Sequence, residues 1–139
     1  MNILFFLTPK NEVAYIRDTS TLRQGLEKMH HYGYTAIPVI GKNGEYVGTV
    51  TEGDFLCTLT QHLKDDRSLD EKETEHISIS EIVRKGYHPA VNANAAVEDL
   101  LTMAMNQNFV PVVDDRNSFI GIVTRKDILQ YYYSLTHNE

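Results

Sequence analysis

The residues best suited to chemistry in this chain are two threonine–aspartate pairs, Thr51-Glu52-Gly53-Asp54 and Thr124-Arg125-Lys126-Asp127, each directly after a Gly-x-Val run. A threonine hydroxyl at a helix start accepts a backbone N–H, and an acid three residues on reciprocates, so the ordinary role of such a pair is a helix cap. The same carboxylate is placed to accept both hydroxyls of a ribose, while nearby N–H groups and the helix dipole favour phosphate. One copy would say cap and little else. Two copies at the same offset bring the ligand role forward, and capping and binding are compatible in the same residues. Arg125 and Lys126 add local cations for phosphate to the second pair, where the first has Glu52 and Gly53.

The elements that must position these pairs come from an internal repeat. Sliding the chain by 73 positions aligns Ala36–Leu56 with Phe109–Leu129 without a gap and makes seven pairs identical, among them Pro38/Pro111, Gly48/Gly121, Thr51/Thr124, Asp54/Asp127 and Leu56/Leu129. Upstream, Leu22, Leu26 and Met29 recur at helical spacing, as do Val97, Leu100, Leu101 and Ala104. Ile37–Ile40 and Tyr46–Val50 read as strands joined through the turn residues Gly41-Lys42-Asn43-Gly44, and Asp114-Asp115-Arg116-Asn117 supplies the matching turn before Phe119–Val123. A helix then follows each hairpin, with Phe55, Leu56, Leu59 and Leu63 in one copy and Ile128, Leu129 and Tyr132 in the other. With short leading strands near Val13–Ile16 and Ala90–Asn92, each half is β-α-β-β-α, and neither half is large enough to bury much core alone. The expected division is a first repeat at 1–63, a charged linker at 64–77 and a second repeat at 78–139. Met1–Leu7 is expected to be the lead-in helix of the first copy, stopped by Pro9.

Composition bounds the function classes. The chain has 139 residues, 42% apolar and 23% charged, with a net charge of −6. That balance argues against a surface for a nucleic-acid polymer, which needs excess Lys and Arg. The longest apolar run, Ile3–Leu7, is too short for a signal-peptide core or a bilayer span, so no membrane insertion is expected. A single cysteine, Cys57, makes no internal disulfide, and a reducing cytoplasm is the simplest location.

The ordered set formed by Gly33-Tyr34-Thr35-Ala36-Ile37-Pro38-Val39, Gly48-Thr49-Val50-Thr51-Glu52-Gly53-Asp54 and Gly121-Ile122-Val123-Thr124-Arg125-Lys126-Asp127 resembles tandem CBS domains, the pair known as a Bateman module. The resemblance covers essentially the whole chain. It implies an α+β fold of two CBS repeats packed pseudo-symmetrically as a pair, with a cleft between them that binds adenosine-containing ligands. Carried over residue by residue, it implies a first site of Thr35, Ala36, Pro38, Thr51 and Asp54 walled by His88, Pro89, Ala90 and Val91. The second would use Asn108, Phe109, Pro111, Thr124 and Asp127, walled by Val13, Ala14, Tyr15 and Ile16. In these sites Asp54 and Asp127 would hold ribose hydroxyls, and Thr51 and Thr124 would face ribose or phosphate. Gln107-Asn108-Phe109 departs from the Gly-Tyr-Thr entry of the first copy, so the two sites are not expected to be equivalent.

The implied protein is a cytoplasmic sensor of an adenine nucleotide (AMP, ADP, ATP, S-adenosylmethionine or cyclic di-AMP) that signals to an effector protein through a conformational or dimer change. The Gly-Tyr-Thr-Ala-Ile-Pro segment resembles stand-alone bacterial cyclic di-AMP receptors. The nucleotide is a regulatory ligand and no cofactor is expected. The alternatives are a ligand-free interaction scaffold, in which both threonine–aspartate pairs only cap helices, and a small hydrolase acting through Asp54 or His30. An enzyme is disfavoured because the chain has no phosphate-loop, nucleophile-elbow or zinc-helix motif. No metal site is expected: His30 and His31 point about 100° apart on a helix, and His62, His76, His88 and His137 lack ligand spacing. Cys57 reads as an inert packing thiol. Tyr131-Tyr132-Tyr133 presents rings in three directions, which suits either partial exposure or the contact of a homodimer.

Overall fold

The computed structural model describes residues 2–64 and 75–137. Most of the expected linker lies outside them, as do the side chains of residues 62–64 and with them the readings of His62 and Leu63. The chain is a mixture of helix and sheet divided into two compact units, one of Ala14–Tyr87 and one of Met1–Val13 with His88–Glu139. No helix among the described residues is long and apolar enough to cross a membrane.

The unit holding the first repeat carries a three-stranded sheet of β2 (Ile16–Arg17), β3 (Ala36–Ile40) and β4 (Tyr46–Thr51), in the order β2-β3-β4. β2 runs parallel to β3, with Ile16 beside Val39, and β3 pairs antiparallel with β4, Ala36 facing Thr51. Helix α1 (Leu22–Tyr32) begins at a capping box in which the Gln24 N–H donates to Thr21 Oγ1 and the Thr21 N–H donates to Gln24 Oε1. It ends at Gly33, whose φ of 67° is the left-handed conformation that glycine adopts without steric cost. Its apolar stripe buries Leu22 and Met29 against Ile37, Val39, Val50 and Phe55, the last of these from α2 (Glu52–Lys64). A Cβ at Gly25 would come within 2.9 Å of Ile79 Cδ1 and 3.1 Å of Phe55 Cζ, so glycine sets how closely α1 approaches its neighbours.

The unit holding the second repeat repeats this plan. β5 (Val91–Asn92), β6 (Phe109–Val113) and β7 (Phe119–Thr124) reproduce the register, with Val91 beside Val112 and Phe109 facing Thr124. The register shift between Val39 and Ile40 recurs between Val112 and Val113. Both hairpin turns also place a left-handed residue at the same offset, Gly44 at φ 84° and Asn117 at φ 64°. Asparagine is among the residues that enter this region most readily after glycine. Helix α4 (Val97–Ala104) and helix α5 (Arg125–His137) supply Val97, Leu100, Ala104 and Ile128 to the core.

The segments that precede the repeats do not pack where the sequence places them. Met1–Leu7, expected to lead the first copy, contains a 3-10 turn (Ile3–Phe6), and Ile3 is fully buried among Val91, Leu100 and Val110 of the second repeat, in the same compact unit. Thr8–Pro9 forms β1, an edge strand antiparallel to β7, where proline's missing N–H is tolerated. Conversely, helix α3 (Ile79–Ile82), expected to open the second repeat, buries Ile79, Ile82 and Val83 in the core with Phe55. It is held there by the Leu22 N–H donating to Ile77 O at 2.8 Å and the Ile79 N–H donating to Ser20 O at 2.8 Å. The compact units are bounded at 13/14 and 87/88.

The glycine shared by both Gly-x-Val runs accounts for this arrangement. A Cβ at Gly48 would lie 2.6 Å from Val83 Cγ2, and a Cβ at Gly121 would overlap the carbonyl oxygen of Thr8. Each of these strands is kept bare at one position where a segment from outside its hairpin comes close.

Candidate functional site

In the first repeat the threonine–aspartate pair sits where β4 passes into α2. The Thr51 N–H donates to Asp54 Oδ2 at 2.9 Å, the Thr51 hydroxyl donates to the same oxygen at 3.1 Å, and the Asp54 N–H reaches Thr51 Oγ1 at 3.3 Å. This is the reciprocal cap in full. The Glu52 N–H donates to Thr35 O at 3.0 Å, tying the corner to the entry of β3. The structure thus gathers Thr35, Ala36, Thr51 and Asp54 at one end of the β3–β4 hairpin, while Pro38 is buried two residues further along β3, opposite Thr49.

A residue that the sequence reading did not single out completes this corner. Arg84 Nε lies 2.7 Å from Asp54 Oδ1 in an ion pair, with the Asp54 side chain 5% exposed and that of Arg84 47% exposed. The Arg84 guanidinium also lies over the ring of Tyr87, 4.1 Å from its centroid. The only sequence signal for Arg84 is the basic tract Arg84-Lys85, which has no periodic relation to Asp54.

The corresponding corner of the second repeat is built differently. The Asp127 N–H donates to Thr124 Oγ1 at 3.2 Å, but among the described residues no hydrogen bond or ion pair reaches the Asp127 carboxylate. Arg125, expected to serve as a cation for phosphate, directs its Nε to Ala104 O at 2.8 Å and its Nη2 to Gln107 O at 3.0 Å. Its charge thereby caps the carbonyl end of α4, where a cation is favoured. Lys126 is exposed and leaves a cation at the corner. The Arg125 N–H also donates to Asn108 O, and Gln107, buried, donates from Nε2 to Pro89 O at 3.3 Å. Asn108, Phe109, Thr124 and Asp127 are therefore neighbours at the end of the β6–β7 hairpin, and Pro111 lies opposite Ile122.

The expected wall residues divide between the units. His88, Pro89, Ala90 and Val91 lie in the unit of the second repeat, Ala14, Tyr15 and Ile16 in that of the first, and Val13 closes the N-terminal segment of the second repeat's unit. Within the first repeat's unit, Tyr15 carries Arg17 and Lys28 over its ring, 6.0 and 5.7 Å from the centroid.

Several other candidates resolve simply. His30 and His31 are exposed, and the described residues contain no group of three His, Cys, Asp or Glu side chains able to hold a metal. Cys57, expected to pack, is exposed, because it lies about 200° around α2 from the buried Phe55. Tyr131 packs edge-on against Phe6 with centroids 5.0 Å apart, Tyr132 is half-buried beside it, and only Tyr133 is exposed. A mostly apolar groove of about 400 Å³ lies between α1 and α2, lined by Leu26, Met29, Tyr34, Phe55, Leu56 and Leu59.

A family model for the CBS domain matches this chain twice, over residues 7–60 and 77–134. Cyclic di-AMP receptor B of Bacillus subtilis is 24% identical over 127 residues, covering 90% of this chain and 82% of that protein. The crystal structure of CbpB in complex with c-di-AMP matches with a TM-score of 0.85 and 28% identity, over 99% of this chain and 88% of that one. The crystal structure of CBSX2 in complex with AMP, a protein of Arabidopsis thaliana, shares the fold at a TM-score of 0.76 and 22% identity, over 97% of this chain and 98% of that one. A further curated relative, 27% identical, is longer, and the chain spans 54% of its length.

Proposed function

The chain belongs to the CBS domain family, and from that premise we propose that it is a regulatory module whose ligand is an adenosine-containing nucleotide. The observation that carries this reading is the Asp127 carboxylate, which stands at the start of α5 beside the exposed Lys126 and is used by no cap or ion pair among the described residues. A carboxylate at a helix start that caps nothing is a ready acceptor for a ribose diol, with Lys126 and the helix N–H groups close by for phosphate. Thr124 and Asp127 take the ribose, and Asn108, Phe109 and Pro111 form the floor beside it. Cyclic di-AMP heads the ligand panel because a curated relative bears it in its name and a matching structure contains it. AMP, ADP, ATP and S-adenosylmethionine complete the panel. Occupancy signals to an effector protein in the cytoplasm by favouring one conformation or dimer state, which a ligand does only through a difference in affinity between states.

Thermal unfolding against this panel tests the reading. A ligand at a hundred times its Kd adds about 2.7 kcal/mol of stability, and Asp127→Asn should remove the part of the shift owed to the second corner. No shift with any nucleotide would overturn the proposal. The scaffold reading would then stand, and one observation favours it: both oxygens of Asp54 are already engaged by Thr51 and Arg84. Turnover of a nucleotide would instead point to an enzyme.

A further inference from the structure

Asp54 is nearly buried, and both of its carboxylate oxygens already have partners. Oδ2 closes the cap onto Thr51, and Oδ1 is paired with Arg84 at 2.7 Å. A carboxylate has about four acceptor sites, three of them taken here by the Thr51 N–H, the Thr51 hydroxyl and Arg84, so the two donors of a ribose diol cannot both bind without displacing a partner. The cap belongs to the start of α2 and is local. The Arg84 pair is the replaceable one, because that side chain is half-exposed and belongs to the segment after α3. Its guanidinium rests on the Tyr87 ring, a stacking that holds the plane while leaving its edge able to exchange one anion for another.

We propose that Arg84 is the specificity-determining residue of the first repeat's corner: it occupies the Asp54 carboxylate against neutral ribosides and releases it to nucleotides, whose phosphate takes the guanidinium as the ribose takes Oδ1. The inference rests on the nucleotide reading above and deepens it. A nucleoside must displace Arg84 and leaves that charge without an anion, whereas a nucleotide replaces one anion with another. Among the described residues no arginine pairs with Asp127 at the second corner, so that corner does not share this discrimination.

Calorimetric titration of the full chain with AMP, cyclic di-AMP and adenosine tests the proposal, using Asp127→Asn to silence the second corner. In that background the nucleotide should bind at least about tenfold more tightly than adenosine, the scale of one charged hydrogen bond. Adding Arg84→Gln should weaken the nucleotide about tenfold and strengthen adenosine, so that the preference collapses. Arg84→Lys, which keeps charge but loses the stacked fork, should fall between, and unliganded melting curves check that each variant folds. Equal effects on both ligands, or none, would overturn the role of Arg84 while leaving the nucleotide reading intact. The same holds if wild type binds a nucleotide and Asp127→Asn binds none. A wild type that binds no member of the panel overturns the reading itself, and the proposal with it.

Discussion

At the scale of residues, neighbouring cations at the second corner do different work. Arg125 bonds two carbonyls at the end of α4, whereas Lys126 is exposed. Arg125→Ala should therefore lower unliganded stability by about 1.5–3 kcal/mol, while Lys126→Ala stays within about 0.5 kcal/mol and instead weakens nucleotide binding. Chemical denaturation of the two variants separates the roles. Tyr46 offers a second test. Burial pushes its hydroxyl well above the ordinary tyrosine range, with the 2.7 Å hydrogen bond to Thr49 pulling slightly the other way. The folded state therefore keeps a proton that the unfolded chain releases near pH 10, so the stabilisation is complete below about pH 10 and is lost as pH rises further. Tyr46→Phe should cost about 1 kcal/mol at neutral pH through the lost hydrogen bond and flatten the alkaline decline in pH-dependent unfolding. Phenylalanine suits the position, since Phe119 fills it, buried, in the second copy. The threonine–aspartate corners and the strand pair of each hairpin were legible because their signals are local, set within a few residues. Arg84 was not, because its partner is thirty residues away and only the packing of α3 brings them together.

At the scale of elements, the exchanged lead-in segments make a quantitative distinction between two glycines that the repeat alone treats as equal. A Cβ at Gly121 meets backbone, the Thr8 carbonyl, and cannot be relieved without displacing β1 from β7. A Cβ at Gly48 meets the end of the Val83 side chain, which can shift. Gly121→Ala should thus cost about 3 kcal/mol and Gly48→Ala nearer 1 kcal/mol, the two ends of the overpacking range, as read from thermal melts. Amide exchange in the first variant should quicken in β1 and β7. The shared glycine announced a close approach in both copies. It could not announce what approaches, because Ile3 and Ile79 are each short apolar signals that fit either sheet equally well.

At the scale of the whole molecule, Leu56 and Leu129 are the same residue in both copies of the repeat, yet they are 66% and 58% exposed. A leucine that neither core buries in either copy is what a contact between two copies of the chain would use, since a twofold interface presents one patch to itself. Tyr131 and Tyr132, two of the three rings expected at a homodimer contact, pack instead within the chain with Phe6, so the homodimer is to be tested at these leucines. Sedimentation should show a dimer for wild type and a monomer for the Leu56→Glu, Leu129→Glu double variant. A wild-type mass that stays monomeric at every concentration would remove the homodimer.

The two units also differ in how the chain traverses them. One is a continuous stretch, Ala14–Tyr87, and the other joins two stretches that flank it in sequence, Met1–Val13 and His88–Glu139. On the ribosome the continuous unit can complete its sheet as soon as α3 has emerged. Ile3 must wait, its apolar surface unsatisfied, until β7 has been synthesised. The connectivity therefore lets the continuous unit close before the discontinuous one.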